Sequence, residues 1–425
     1  MNHARYCGLL CPRLEHLAFA VVLLAAAAAQ AAFSGEARLL ADAADGRLDE
    51  IGLLDAAAIA GGIASEAELT AARRRLDALW LEVGEPLVDK LPAGDRPRAI
   101  LSALHRLVLT GKYKAECTEV QRTLDSGDYN CVTATVLYLE LCRRHGLTGA
   151  AVAIPAHVYC RLQGQREQDI QTTCQDWFEV AEQNRNPADN VLAKQIAAQA
   201  TPPRALSDVE LLGKVYYNRG VSQLEAQQYG AAIALLKISL ALDPKDEPAR
   251  NNLLAAHNNW ALALCDAGDF AAAADKLAAG RAVDAQYGPL QTNDLYVHQK
   301  WVLDLCERGR YSTAVEVLEE GFQRRPDAAL FDGGRYAVYG MWSRTLLEGN
   351  RVDEAVAVLD SARRRYGDHP ELIDQELHAF EAGIAQLLQR GDAQGAQAMR
   401  SAALARHPDA AVLRKMKTEP ARAVE

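Results

Sequence analysis

The chain has 425 residues, enough for two or three domains, and its 49% apolar and 24% charged content describes a folded globular protein rather than a disordered one. A formal net charge of −10, dispersed and without any basic cluster, argues against nucleic acid as a partner. No zinc spacing, phosphate loop or dinucleotide glycine pattern is present, so neither a metal nor a cofactor is expected.

Residues 1–31 read as a secretory leader. Arg5 and Arg13 precede an apolar stretch from Leu17 to Ala29, and Ala29-Gln30-Ala31 offers a small-x-small cleavage pattern. The expectation is an exported protein, periplasmic or secreted, with no stable membrane insertion once the leader is cleaved. An N-terminal membrane anchor is the alternative, but the alanine-diluted run falls short of the roughly 20 residues a span needs. Cleavage would remove Cys7 and Cys11 and leave an odd number of cysteines in a compartment that permits disulfides.

Residues 35–94 form a helical lead-in, with helical stretches Glu66 to Val83 and Arg98 to Leu109 on either side of breaks at Gly84 to Pro86 and Pro92 to Pro97. Chemistry enters in the next segment, 95–200. Gly127-Asp128-Tyr129-Asn130-Cys131 runs into an amphipathic helix, Val132 to His145, closed by Gly146. An apolar β run, Ala150 to Pro155, precedes His157 to Leu162, and a turn at Gly164 leads to Asp169-Ile170-Gln171-Thr172-Thr173. A cysteine at a helix start feels the positive end of the helix dipole, which favours thiolate over thiol. A histidine on a neighbouring strand can exchange a proton with it, and a carboxylate or amide across the hairpin can fix the ring's tautomer. Cys131 and His157 are therefore the candidate nucleophile and acid–base. Asp169 and Gln171 compete for the third place: Asp169 is favoured on charge, because only a carboxylate stabilises an imidazolium. Backbone amides near Cys131, with Asn130, are candidate oxyanion donors. The bland reading is that Cys131 is a small buried core residue. Cys142 reads as core, and Cys160 and Cys174 alternate to the hairpin face opposite His157, where they could pair or simply pack.

This segment resembles the transglutaminase-like superfamily, in which Gly-x-Cys opens a helix, Arg-x-x-Gly closes it, and a His strand and an Asp strand follow. Cys131, Arg143, Gly146 and His157 fall in that order, with Tyr129 where the family has glycine. The resemblance covers about 95–180 and extends to the bacterial SirB-type branch, which joins such a domain to tetratricopeptide repeats. It implies a small α+β, papain-like domain and acyl transfer through a Cys131 thioester, with His157 shuttling the proton.

Repeats fill 205–412. An aromatic or aliphatic position recurs at Tyr229, Phe270, Tyr311, Val352 and Ala393, and three residues on, Ala232, Ala273, Ala314, Ala355 and Ala396 form an alanine column, both with a 41-residue period. Leu236, Leu277, Leu318 and Leu359 continue the same helical face, with Arg400 as the break in the last unit. A turn at Gln227, Gly268, Gly309, Asn350 and Gly391 separates two helical periods. Helix ends near Pro244, Pro326 and Pro408 complete a pattern that resembles the tetratricopeptide repeat (TPR), with seven extra residues lengthening the first helix. The largely aromatic column Tyr216, His257, His298, Tyr339, Phe380, the tryptophan column Trp260, Trp301, Trp342, and Cys265 and Cys306 are expected in or around the core. Asn218 and Asn259 share a column and are candidates for holding a bound peptide backbone.

The fold class expected is mainly α: a small α+β transglutaminase-like domain followed by an α-α superhelix of five 41-residue TPR-like repeats, with a tail at 413–425. Two functions follow. One is a cysteine acyl-transfer enzyme whose repeats hold a protein or peptide ligand in their groove; the other is a non-catalytic TPR scaffold in which the cysteine domain only docks.

Overall fold

The computed structural model describes residues 35–83, 88, 90–164, 166–183 and 202–416. The leader, the break at Gly84 to Pro86 and residues 417–425 lie outside them. The chain divides into two compact units, 1–256 and 257–425.

The N-terminal unit begins with helices α1 (Gly35–Asp42), α2 (Leu53–Ala60), α3 (Glu66–Val83), α4 (Arg96–Leu107) and α5 (Val120–Ser126). Of these, α2 and α4 pack on α6 (Cys131–Arg144), whose Leu137, Tyr138, Leu139 and Leu141 are all buried. Helix α6 starts where it does because Asn130 caps it: the Asn130 side-chain oxygen accepts from the Val132 and Thr133 amides, and the Thr133 hydroxyl accepts from the Asn130 backbone amide. It stops at Gly146, which takes a left-handed φ of 69°. Strands β1 (Gly149–Ile154), β2 (His157–Leu162), β3 (Gln168–Ile170) and β4 (Arg204–Leu206) make an antiparallel sheet in the order β3-β2-β1-β4. A short helix, α7 (Trp177–Gln183), follows β3.

The first repeat hairpin, α8 (Asp208–Glu225) and α9 (Tyr229–Leu242), is built into this same unit. Helix α8 packs on α2, α6, β1 and β4. Arg143, at the end of α6, donates both terminal nitrogens to Asp208 at 2.7 and 2.6 Å, and the Tyr216 hydroxyl donates to Glu36 at 3.0 Å.

Along the rest of the chain, long and short helices alternate. α10 (Glu247–Asp266), α12 (Gly288–Glu307), α14 (Ala329–Glu348) and α16 (Pro370–Gln389) have 20 residues each. Their partners α11 (Phe270–Val283), α13 (Tyr311–Arg324) and α17 (Ala393–Arg406) have 14, and α15 (Val352–Tyr366) has 15. This is a TPR-like helical repeat array, and its surplus length lies in the first helix of each pair. Each second helix opens at its column residue, Tyr229, Phe270, Tyr311, Val352 or Ala393. The five turn residues all have left-handed φ, from 57° at Asn350 to 80° at Gly268 and Gly391, and Gln227 at 58° adopts it with a full side chain. The alanine column and the four leucines beyond it are completely buried. His257 and His298 are buried as well, while Trp260, Trp301 and Trp342 are only half-buried.

From α11 onward each helix packs on the next in the chain, and α14 also packs on α12 and α16. Two carboxylates sit inside the C-terminal unit, two periods apart. Asp294 is bound by Arg281 at 3.0 Å and by His298 at 3.3 Å. Glu376 is fully buried and held by Arg363, by Arg406 at 2.7 Å and by His407 at 2.8 Å. Burial raises the pKa of each carboxyl, but these partners outweigh it and hold both below their ordinary values. Arg400, at the break in the leucine column, donates to the Leu413 and Arg414 carbonyls at 2.8 and 2.7 Å, fixing the last helix, α18 (Ala411–Lys415), on α17. Leu413 is thereby fully buried. Among the described residues no helix is long and apolar enough to cross a membrane.

Candidate functional site

Cys131 is the first residue of α6, 8% exposed, and His157 is the first residue of β2. The β1–β2 turn at Pro155 and Ala156, with Ala156 at φ 60°, swings His157 over the start of α6. Each side chain shifts the other's titration. Burial alone would push the thiol up, but the hydrogen bond and charge of His157, the Val158 amide and the Tyr113 hydroxyl together bring Cys131 below the ordinary thiol value. Burial likewise opposes the imidazolium, and the Cys131 sulfur and Gln171 overcome it, so the His157 pKa is raised. The two shifts have one cause: thiolate and imidazolium stabilise each other.

Of the two candidates for the third place, Gln171 is the one at the imidazole. His157 Nε2 donates to the Gln171 side-chain Oε1 at 2.7 Å, which leaves Nδ1 as the ring nitrogen not bound by Gln171. Asp169 is engaged elsewhere: it lies directly across the ladder from Arg161, and its two oxygens accept from Arg161 at 2.6 and 2.9 Å. The reason is that β3 ends at Ile170, one residue before Gln171, so strand alternation no longer governs where Gln171 points. The next residue fixes it. The carbonyl of buried Thr172 accepts from His105 Nε2 at 3.0 Å, and its hydroxyl bonds the hydroxyl of Thr135, one helical turn beyond Cys131, at 2.9 Å. Burial keeps the His105 pKa low, so its ring is a neutral donor.

Asn130 is fully occupied as a helix cap. Beyond the two amides bound by its oxygen, its side-chain nitrogen donates to the Ala115 carbonyl at 3.0 Å and the Thr118 hydroxyl at 3.2 Å. No donor is left on its side chain for an oxyanion. Cys117, Cys142, Cys160, Cys174, Cys265 and Cys306 are free thiols, all raised by burial, Cys142 to about 12. Asn218 is half-buried on α8. Asn259 is exposed on α10, where its side-chain oxygen accepts from Asn258 at 3.3 Å, and Asn258 in turn accepts from Asn293 at 2.7 Å.

Tyr113 was not visible from the sequence as a site residue. Its hydroxyl is one of the groups that draw the Cys131 thiol down, and its ring stands edge-on to Tyr129, which is edge-on to His105. No motif marks it, because its loop reaches the site through an isolated β-bridge to Tyr129.

No family model matches the chain, and no curated protein matches it. Among solved structures, similar chains include YrrB, described as a TPR protein with an unusual peptide-binding site, at 13% identity over 47% of this chain and 88% of that one, TM-score 0.16. A thermophilic TPR protein of Thermus thermophilus is similar at 18% identity over 48% of this chain and 95% of its own, TM-score 0.16. The TPR domain of P58(IPK) is similar at 15% identity over 95% of this chain and 96% of its own, TM-score 0.18. At TM-scores this low these likenesses carry no argument, and the repeat stands on the chain's own helix boundaries.

Proposed function

We propose that this chain is a TPR-type protein-binding scaffold. The observation that carries the reading is the regularity of the array. Its fixed interior columns are spent on packing neighbour against neighbour, and the remaining faces of 20-residue first helices are left to vary and to bind. The ligand expected is a protein or peptide. Capture of partners by the intact chain, with and without replacement of exposed first-helix residues such as Tyr296 and Leu303, tests it. Retention of every partner after those replacements counts against binding through these faces. An exported location belongs to the same proposal, and N-terminal sequencing of the mature protein checks it.

A second reading is favoured by one observation, the Cys131–His157–Gln171 contact in the N-terminal unit. It is a transglutaminase-like acyl transfer, in which Cys131 attacks a carboxamide or peptide carbonyl and His157 returns the proton to the departing amine. An amide as third member orients the ring without adding charge. Comparison of partners held by the wild type and by Cys131→Ala separates the readings. Identical partner sets support the scaffold alone; a species held covalently by the wild type and lost from the variant supports catalysis.

A further inference from the structure

The two buried carboxylates of the C-terminal unit occupy one column of the repeat, and the residues around them correspond one by one. Arg281 answers to Arg363, Asp294 to Glu376, Arg324 to Arg406 and Arg325 to His407. In the repeat between them the column holds Arg335, which is met by Asp332 at 2.7 Å and lies over the Phe322 ring, 3.9 Å from its centre. The two acidic sites therefore share one architecture, and they differ in charge.

At Glu376 each arginine has a second carboxylate. Arg363 Nε also donates to Asp368 at 3.0 Å, and Arg406 also pairs with Asp360 at 3.2 Å. At Asp294 the corresponding residues are Gln286 and Ala278, which carry no charge. Three guanidinium groups are left to share one carboxylate. Arg281 and Arg325 both reach Asp294 Oδ2, at 3.0 and 3.6 Å, and Arg325 gives a further bond to the Gln291 carbonyl at 3.1 Å. Arg324 donates to His298 Nε2 at 2.9 Å and forms no ion pair among the described residues.

The backbone does not close this gap. Arg281 and Arg324 stand in the last turns of α11 and α13, where each helix C-terminus supplies only about half an elementary charge. Arg363 and Arg406 stand in the last turns of α15 and α17 in the same way, and that site still has its extra carboxylates. The unused donors are held in place. The Arg281 and Arg325 side chains are only 23% and 19% exposed, Arg324 is exposed beside them, and Arg281 Nε is buried without a partner. Side chains packed this far have already lost much of the rotamer freedom that a ligand would otherwise have to remove. A guanidinium fork with free N–H groups matches a carboxylate with two parallel bonds.

We infer that Arg281, Arg324 and Arg325 form a docking site for an acidic segment of the protein ligand, whose carboxylate takes the role that Asp360 and Asp368 fill beside Glu376. The inference deepens the scaffold reading and rests on it. A chain of net charge −10 repels a polyanion elsewhere, so retention of an acidic peptide requires a locally positive site.

A dye-labelled oligoglutamate peptide, followed by fluorescence anisotropy on the full chain at low ionic strength, reads the site directly, with oligoglutamine as the neutral comparison. Arg324→Gln is expected to weaken oligoglutamate binding about tenfold. Gln286→Asp removes no arginine and supplies the counterpart of Asp368; it is expected to weaken binding about fivefold or more. No binding, equal affinity for the glutamine peptide, or unchanged affinity in both variants overturns the inference. Displacement of the peptide by inorganic phosphate at an equal or lower concentration would assign the arginines to a free anion and overturn it too. Partners captured by the intact chain and kept in full by both variants overturn the inference alone. An intact chain that captures no partner and binds no oligoglutamate loses the inference and the scaffold reading together.

Discussion

Two regions set a half-buried histidine beside an acidic group, and they treat that group in opposite ways. In the C-terminal unit Glu376 is met from several sides by Arg363, Arg406 and His407, so the charge is neutralised where it stands. In the N-terminal unit one imidazole, one phenol and one amide draw the Cys131 thiol below its ordinary pKa, and behind the imidazole stands an uncharged glutamine. The first arrangement compensates its charge from several sides; the second lowers a thiol's pKa with a single ionisable cation partner. Full compensation is what a structural buried charge requires, and partial compensation is what chemistry requires.

The largest effect tests the first half of that contrast. Glu376→Gln removes the charge that several partners were placed to meet, and should lower the stability of the C-terminal unit by about 3 kcal/mol, read as a shift in its urea unfolding midpoint. A loss below about 1 kcal/mol would mean that the cluster is solvated in solution and the contrast is false.

The reactive half is tested by alkylation. Cys131 should react with iodoacetamide at least about tenfold faster at neutral pH than the other described thiols, because among the described cysteines it alone is shifted downward. The sign follows from the pair. The thiolate's contribution is complete above the ordinary thiol pKa and is lost as pH falls through the lowered value. The imidazolium's contribution is complete below the ordinary histidine pKa and is lost as pH rises through the raised one. Both shifts favour the ion pair over the neutral pair, so the alkylation rate should rise at a lower pH than for a free cysteine. A profile matching a free thiol removes the pair.

Smaller effects separate the two candidates for the third place. Gln171→Leu should slow Cys131 alkylation about fivefold and move its profile to higher pH, by freeing the His157 ring. Asp169→Asn should leave the profile in place, because that carboxylate serves Arg161. The reverse outcome would assign Asp169 to the imidazole.

The smallest prediction concerns the repeats alone. Gln227→Gly relieves a left-handed φ of 58° at a turn where three of the other four repeats use glycine, and should stabilise the N-terminal unit by about 0.5–1 kcal/mol in thermal unfolding. A loss of stability would mean that the glutamine side chain has contacts worth more than the strain.

What the sequence revealed tracks the range of the interactions. A period of 41 placed the second-helix starts at Tyr229, Phe270, Tyr311, Val352 and Ala393, because local helix rules and nearest-neighbour packing repeat unit by unit. Even Gln227 was placed by register, with no glycine to signal it. The helix bearing Cys131 and the strand opening at His157 were legible from patterning as well. The choice between Asp169 and Gln171 was not, since it depends on where β3 stops, and that is decided by Thr172 meeting His105 and Thr135, far apart in the chain. β4 has only three residues and follows a long connection, so alternation had nothing to register. Tyr113 reaches the site across a single bridge and leaves no pattern at all.

The packing of α8 into the N-terminal unit carries one more consequence. A protein made of repeats can lengthen or shorten through duplication and deletion wherever one copy can stand in for another. The copy that begins at Asp208 is not interchangeable in this way, because Arg143, Glu36 and β4 are fitted to it individually. Changes in copy number are thus confined to the hairpins after α9, and descendants of this gene should vary in their count of later copies while keeping the first as an inseparable partner of Cys131.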